Sequence, residues 1–197
     1  MARVSKEQAA RHRADVVDAA SRLFRERGLN EVGLTEVMTT VGLTQGGFYK
    51  QFESKQALAA EATDRAFALN GADLESVAAH HPDDPNAAMR EFVANYLSPR
   101  NRDDRADGCA TTALSGDATR DEADGPLRAA YTRGVEGYLD QLARFTEPGT
   151  GRAERITTMC ALVGALTLAR ATAGSPLSEE ILDAVRDHLT PTESTSD

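Results

Sequence analysis

The run Val41-Gly42-Leu43-Thr44-Gln45-Gly46-Gly47-Phe48-Tyr49-Lys50-Gln51-Phe52 constrains the fold more than any other stretch of the chain. Two of its glycines, Gly46 and Gly47, fall inside what the flanking residues define as a short helix. Each glycine costs roughly 1 kcal/mol against alanine in a helix interior, so the pair requires a compensating use. Thr44 is placed to N-cap the helix, Leu43 and Phe48 flank it as apolar anchors, and Tyr49, Lys50 and Gln51 supply donors. A helix left bare at its first turn lets a large, flat partner come close, and the floor of a DNA major groove is such a partner. Upstream, Leu34, Val37, Met38 and Val41 recur at helical spacing and stop at Gly42, which predicts a left-handed helix terminator. Helix, short glycine-containing turn and second helix make up the helix-turn-helix pattern.

The net charge of −9 at first opposes contact with phosphate. Dividing the chain removes the conflict. Residues 1–65 carry ten Lys/Arg and nine Asp/Glu, a net of +1, and the remainder carries twelve and twenty-two, a net of −10. All three lysines, Lys6, Lys50 and Lys55, lie in the first part. The acidic charge therefore belongs to a second region, where it opposes non-specific binding to DNA or simply aids solubility. The longest apolar stretch, Met159 to Ala169, contains a threonine and ends at Arg170, too short to span a membrane, and no signal-peptide pattern opens the chain. A cytoplasmic protein with no membrane partner is expected, and two cysteines in such a chain predict free thiols.

Periodicity of 3.6 residues recurs throughout, and no run alternates apolar and polar residues, so the fold class is all-α with about nine helices. Ser5 with Gln8 forms a capping box for a first helix ending near Gly28. Ser54 caps a long fourth helix through Leu58, Phe67, Leu74 and Val77, with a bend expected at Gly71. Asp84 and Pro85 open the next helix, Pro99 to Gly108 reads as a charged, mobile connection, and Cys109 to Ser115 as a short helix capped by Asp107. Pro126 begins a long helix with one apolar face, carrying Leu127, Tyr131, Val135, Tyr138, Leu139 and Leu142. From about Arg152 to Thr172 a helix is apolar on most sides, and a final helix from Ser178 presents Ile181, Leu182, Val185 and Leu189. Surplus apolar surface on these last two helices predicts a homodimer through them; a monomer whose final helix covers its own core is the alternative. Residues after Thr190 read as a disordered polar tail.

The signatures Val16-Val17-Asp18-Ala19-Ala20-Ser21-Arg22-Leu23-Phe24, Gly28, Phe48-Tyr49-Lys50-Gln51-Phe52 and Ser54-Lys55-Gln56-Ala57-Leu58 stand in order and at fixed spacing. Over about residues 10 to 60 the chain resembles the DNA-binding domain of the TetR/AcrR family of bacterial one-component transcriptional regulators. Gly33 stands where the family usually has a Ser or Thr cap, and Met38 and Val41 replace small alanines, changes expected to alter packing of the motif. The resemblance implies a three-helix DNA-binding domain over residues 1–53, a helical effector-binding and dimerisation domain over 54–190, and a tail over 191–197. It also implies a palindromic double-stranded operator, repression as the usual outcome, and release by a small-molecule effector.

For DNA contact, Gln45 and Lys50 are expected to read base edges, since an amide can address adenine and an ammonium guanine. Gly46 and Gly47 permit the approach. Matching the family motif, Thr35, Thr44, Tyr49, Gln51 and Lys55 are implied as phosphate or positioning contacts, with simple packing the alternative for Tyr49. Phe48 and Phe52 are expected in the core. Among the later helices, Phe67, Met89, Phe92, Tyr96, Tyr131, Tyr138 and Met159 are candidate walls of a ligand pocket for a mainly apolar effector, although each taken singly also reads as core. Cys109, near a helix N-terminus, is either a reactive thiol that senses oxidants or electrophiles, or a small packing residue. Cys160 reads as helix core. The four histidines, His12, His80, His81 and His188, have no accompanying nucleophile or ligand pattern, so neither an enzyme nor a cofactor is expected. His80-His81-Pro82-Asp83-Asp84 reads as a solvated turn in preference to a metal site, since adjacent histidines point apart. An architectural helix-turn-helix protein without a ligand is the remaining alternative.

Overall fold

The computed structural model describes residues 6–146 and 149–190. The capping box of Ser5 and the tail over 191–197 lie outside these residues. Among the described residues there are nine α-helices and no strand.

Helix α1 (Lys6–Arg27) has Glu7 in its first turn and Arg25 and Arg27 in its last, each sign matched to the helix dipole. It stops at Gly28, which takes φ +85° while its N–H donates to Phe24 O at 2.8 Å. Helix α2 (Leu34–Thr40) follows an extended Gly33 that supplies no side-chain cap. Gly42, at φ +72°, ends it: Gly42 N–H donates to Thr39 O at 3.0 Å and Leu43 N–H to Met38 O at 2.8 Å. These paired bonds form a Schellman motif, which needs the left-handed residue that glycine supplies without strain.

The next segment, Gln45–Lys50, is a 3-10 helix instead of the expected α-helix. Gly47 N–H bonds back to Thr44 O at 2.9 Å and Gln51 N–H to Phe48 O at 2.8 Å. Six residues with two glycines have too little helix propensity for a full α-helix, and a short run takes the tighter turn. Thr44 occupies the N-cap position, but its side chain makes no cap bond.

Helix α3 (Lys55–His80) starts where Ser54 accepts from Ala57 N–H at 3.0 Å and extends about 39 Å at the usual rise. It runs through Gly71 without interruption. A Cβ at Gly71 would stand 2.7 Å from Gln141 Nε2, so this glycine serves close helix packing. Helix α4 (Pro85–Tyr96) begins under Asp84, which accepts from Ala87 N–H at 2.8 Å. The predicted loose connection is structured: Ser98 caps a short helix α5 (Pro99–Asp103), and Arg170 donates to Asn101 O at 2.8 Å and Arg102 O at 3.1 Å. Its charged residues hid these backbone anchors from a sequence reading.

Helices α6 (Ala110–Arg120), α7 (Pro126–Leu142), α8 (Arg152–Ala171) and α9 (Pro176–Leu189) complete the order. Cys109 itself, in place of Asp107, caps α6, and α9 starts two residues before the expected Ser178. Two apolar cores form. One gathers Val16, Phe24, Val37, Phe48, Phe52 and Leu58 with Leu114 and Leu127 from the later helices. The other gathers Phe92, Tyr96, Tyr138, Leu142, Met159, Leu166 and Leu182. Packing of the N-terminal unit thus continues onto α6 and α7. On the outer side of α8, Ile156, Cys160 and Leu168 recur every four or eight residues and are exposed, as is Leu177 of α9. Cys160 is accordingly a surface residue, not core: an all-round apolar helix gives no phase by which sequence could tell inner from outer positions.

Candidate nucleic-acid interface and effector cavity

The 3-10 segment projects from a rigid base. Phe48 is fully buried and Phe52 nearly so, their rings stacked at 5.4 Å, which fixes the backbone between them. The Arg13 guanidinium lies 4.6 Å over the Phe52 ring and also pairs with both carboxylate oxygens of Glu61, bracing α1 against α3. Sequence reasoning did not single out Arg13, because the pairing joins positions 48 residues apart.

On this base Thr35, Thr44, Gln45, Gly46, Tyr49 and Lys50 are exposed, and Gly47, Gln51 and Lys55 are half-buried. Tyr49 is 69% exposed although its ring packs edge-on against Phe48 at 5.2 Å. The Thr35 hydroxyl donates to Gln45 Oε1 at 2.9 Å, which sets the amide and leaves its nitrogen to donate outward. A Cβ at Gly46 would meet nothing within 4 Å, so nothing in the chain's own packing calls for glycine there. At Gly47 a Cβ would lie 3.6 Å from Met38 Cε, an ordinary contact. Gln51 differs from its neighbours: its Oε1 is buried and has no hydrogen-bond partner, which turns part of the side chain inward.

A cavity of about 550 Å³ opens between α3, α4 and the segment around α5. Of the seven predicted wall residues, Phe92, Tyr96 and Tyr138 line it, together with the candidate ligand contact Cys109, and Phe67, Met89, Tyr131 and Met159 do not. Phe67 and Tyr131 pack edge to face at 5.7 Å against the N-terminal core, and the Tyr131 hydroxyl donates to Thr111 O at 2.9 Å. Met159 is buried in the C-terminal core, and Met89 packs on its edge. The rest of the wall is more polar than a mainly apolar effector would suit, with Asp73, Glu91, Asp104 and Asp107 beside Asn70, Asn95 and Asn101. Burial pushes the Asp73 carboxyl above the ordinary aspartate range, and raises the Tyr96 and Tyr138 hydroxyls well above tyrosine's, so both remain donors.

Cys109 sits at the junction of this cavity with the N-terminal unit. Its sulfur accepts from the Tyr96 hydroxyl at 2.9 Å and from Thr112 N–H at 3.4 Å. The preceding Gly108 carbonyl accepts from Arg25 Nη1 of α1 at 3.0 Å and from Asn70 Nδ2 of α3 at 3.4 Å. Asn70 Oδ1 accepts from Ala110 N–H at 2.8 Å, and Asp107 pairs with Arg22 of α1. One turn is thereby held both by the cavity wall and by the helix that braces the exposed segment. Elsewhere, the two histidines expected to diverge both reach Glu91, His81 Nε2 at 2.6 Å and His80 Nδ1 at 3.3 Å, and His81 first, then His80, hold that carboxyl below its ordinary range. No group of three or more His, Cys, Asp or Glu side chains that could hold a metal occurs among the described residues, and none of their helices is long and apolar enough to cross a membrane.

These features define an all-helical helix-turn-helix protein whose exposed segment is joined to a cavity-bearing helical body. The family model for bacterial regulatory proteins of the tetR family matches residues 16–62. The transcriptional regulator AcrR of Shigella flexneri is 31% identical over 105 residues, 53% of this chain and 49% of that protein. The transcriptional repressor NemR of Escherichia coli K12 is 24% identical over 148 residues, covering 75% of this chain and 72% of the relative. The alignment therefore spans about half the length of AcrR. Among solved structures, the reduced form of Escherichia coli NemR superposes with a TM-score of 0.78 at 20% identity, covering 94% of this chain and 98% of that one. A TetR-family regulator from Cytophaga hutchinsonii gives 0.76 at 18%, covering 99% and 100%. The tetR-family match thus coincides with the helix-turn-helix unit, and the fold of the whole chain is that of the NemR and Cytophaga hutchinsonii structures.

Proposed function

We propose that this protein is a dimeric, ligand-responsive transcriptional regulator that binds a palindromic operator and acts as a repressor. The observation that carries the reading is the bare, exposed segment Thr44–Lys50 held on the buried Phe48–Phe52 pair. Lys50 and the Gln45 amide nitrogen are free to address base edges, and Thr35, Thr44, Tyr49 and Lys55 surround them as phosphate contacts. Gln51 supports the segment from within more than it contacts DNA, given its buried Oε1. The exposed Ile156, Leu168 and Leu177 on α8 and α9 support dimerisation through those helices. A two-fold axis there would set two recognition segments near the 34–36 Å repeat of two half-sites.

The wall chemistry favours an effector with a flat apolar part against Phe92, Tyr96 and Tyr138 and a cationic or donor group toward Asp73, Asp104 or Asp107. Such a ligand acts only if it prefers one state of the dimer. The grip of Arg25 and Asn70 on Gly108 O offers the physical link to α1.

The test is binding of the purified protein to its own upstream DNA across a salt series, against the Tyr49→Ala, Lys50→Ala double variant. Tight, salt-sensitive binding that the variant loses supports the reading; equal binding by both overturns it. A second reading, an electrophile or oxidant sensor, rests on the place of Cys109 in the cavity wall, where its Sγ accepts from the Tyr96 hydroxyl and the Thr112 N–H. It requires alkylation to release DNA from the wild type and not from Cys109→Ser. A purely architectural protein would bind DNA with no response to any small molecule.

A further inference from the structure

A second cleft, of about 370 Å³, lies between the end of α1, α6 and the end of α8, and shares no lining residue with the cavity described above. Its charge is the reverse. Arg25, Arg27, Arg105, Arg120 and Arg170 line it, against two carboxylates, Glu26 and Asp117. Two carboxylates cannot neutralise five guanidinium groups, and only Asp117 pairs with one of them, Arg120. Asp117 is buried and already accepts from Leu29 N–H at 2.9 Å and from Arg120 at 2.8 Å, and Glu26 is exposed to water. Arg27 turns outward to Glu36.

Among the described residues, Arg25, Arg105 and Arg170 have no carboxylate of the cleft as a partner. Arg105 has no ion-pair partner among the described residues, and it stands near enough to Arg170 for the two charges to oppose each other. Arg170 spends its donors on neutral carbonyls, those of Asn101, Arg102 and Asp104. The Arg25 side chain is wholly buried, yet its Nη2 makes no hydrogen bond; the nearest carboxylate oxygen, Asp107 Oδ1, is 3.7 Å away. Burial lowers the pKa of Arg25 and of Arg170, as expected for cations taken from water without full compensation. A cation taken from water without a full complement of counter-charge is costly, and an oxyanion ligand supplies what is missing.

We propose that this cleft is a binding site for a small oxyanion, a phosphate, sulfate or carboxylate group carried by a metabolite or free in solution. Planar guanidinium forks match such groups through paired N–H donors. Arg105 and Arg120 close on the anion from the open side, Arg170 meets it from within, and the buried Arg25 adds positive charge behind them without touching it. The occupant ties α1 to α6 and α8, at a cleft whose Thr112 follows the Cys109 of the effector cavity by three residues. The site stands apart from the DNA reading, since every argument for it concerns charge inside the free protein.

The experiment is thermal unfolding and isothermal titration of the full-length protein, without DNA, at fixed pH, ionic strength and protein concentration. Sodium chloride is exchanged in separate arms for inorganic phosphate, sulfate or citrate. The same series is run on the Arg105→Gln, Arg120→Gln double variant and on Arg133→Gln, a surface arginine outside the cleft that pairs with Asp64. The expected result is a saturable rise in Tm of about 3–6 °C at ten times the Kd, with measurable heat of binding, in the wild type and Arg133→Gln. In the double variant, folded by circular dichroism, rise and heat should fall at least tenfold. The best of the three anions identifies the group recognised. An equal rise in wild type and double variant is general salt exclusion and overturns the proposal, as does no effect beyond chloride.

Discussion

Two glycines three residues apart on α7 make opposite predictions from the same chemistry. A Cβ at Gly137 would meet nothing within 4 Å, and the residue is exposed. Gly137→Ala therefore keeps only the helix-propensity gain, about 0.5–1 kcal/mol. A Cβ at Gly134 would stand 2.2, 2.3 and 2.5 Å from Cδ2, Cγ and Cε2 of Phe67. That ring is 8% exposed and lies edge to face with Tyr131, so it has no solvent to swing into. Overpacking of this kind costs about 1–3 kcal/mol, and contact with the body of a ring falls in the upper half of that range. After the propensity gain is deducted, Gly134→Ala should be about 1–2 kcal/mol less stable than wild type. At about 2–4 °C per kcal/mol for a chain of this size, Tm should fall by about 2–8 °C, whereas Gly137→Ala should raise it by about 1–4 °C. Both are read by calorimetry at one fixed protein concentration, because a dimer's Tm depends on it. Phe67→Leu combined with Gly134→Ala should cost less than the sum of the single changes. A Gly134→Ala protein as stable as Gly137→Ala would refute the packing argument.

Other outcomes can be set against simple assays. Ser54→Ala removes the cap on α3 and should cost about 1 kcal/mol in urea-melt stability, with an unchanged slope. Tyr49→Ala, at a 69% exposed position, should leave stability within about 0.5 kcal/mol and yet weaken operator binding in fluorescence anisotropy. Charged substitution of the outer α8 ridge, Ile156→Glu with Leu168→Glu, should shift sedimentation toward monomer; an unchanged mass would place the dimer interface elsewhere. Burial pushes the Tyr131 hydroxyl up to about 12, above its value in the unfolded chain. The neutral form therefore contributes stability that is complete below about pH 10 and lost as pH rises toward 12, and Tyr131→Phe should flatten that part of the pH–stability curve.

Local signals with a single physical meaning were legible in the sequence. Gly42 ends α2 because a Schellman motif needs a left-handed residue, Ser54 and Asp84 cap as expected, and Pro85 and Pro126 open helices. The exposed segment was legible for the same reason, since two adjacent glycines leave few uses in a helix. What depends on distant partners was not. The cavity joins residues of α3 and α4 with those around α5, and its acids read in sequence as an ordinary solvated surface. Arg25, buried among charges, looked like any helix-terminal arginine, because its partner Gly108 lies 83 positions away. His80 and His81 converge on Glu91 only because a turn folds α4 back beside the end of α3. Phe67 and Tyr131 were placed in the pocket on residue type alone, and the fold uses them to join the N-terminal unit to α7.

Selection of bound sequences from random duplex DNA tests the central claim most directly, with the wild type compared with the Tyr49→Ala, Lys50→Ala double variant. The expected outcome is enrichment of one inverted repeat with half-sites about one helical turn apart, or a multiple of it. Affinity for that repeat should fall steeply with salt, and the double variant, equally stable, should enrich nothing. Failure to enrich any motif from the wild type, or enrichment of the same motif by the double variant, would contradict the assignment of the Thr44–Lys50 segment as the reader of DNA.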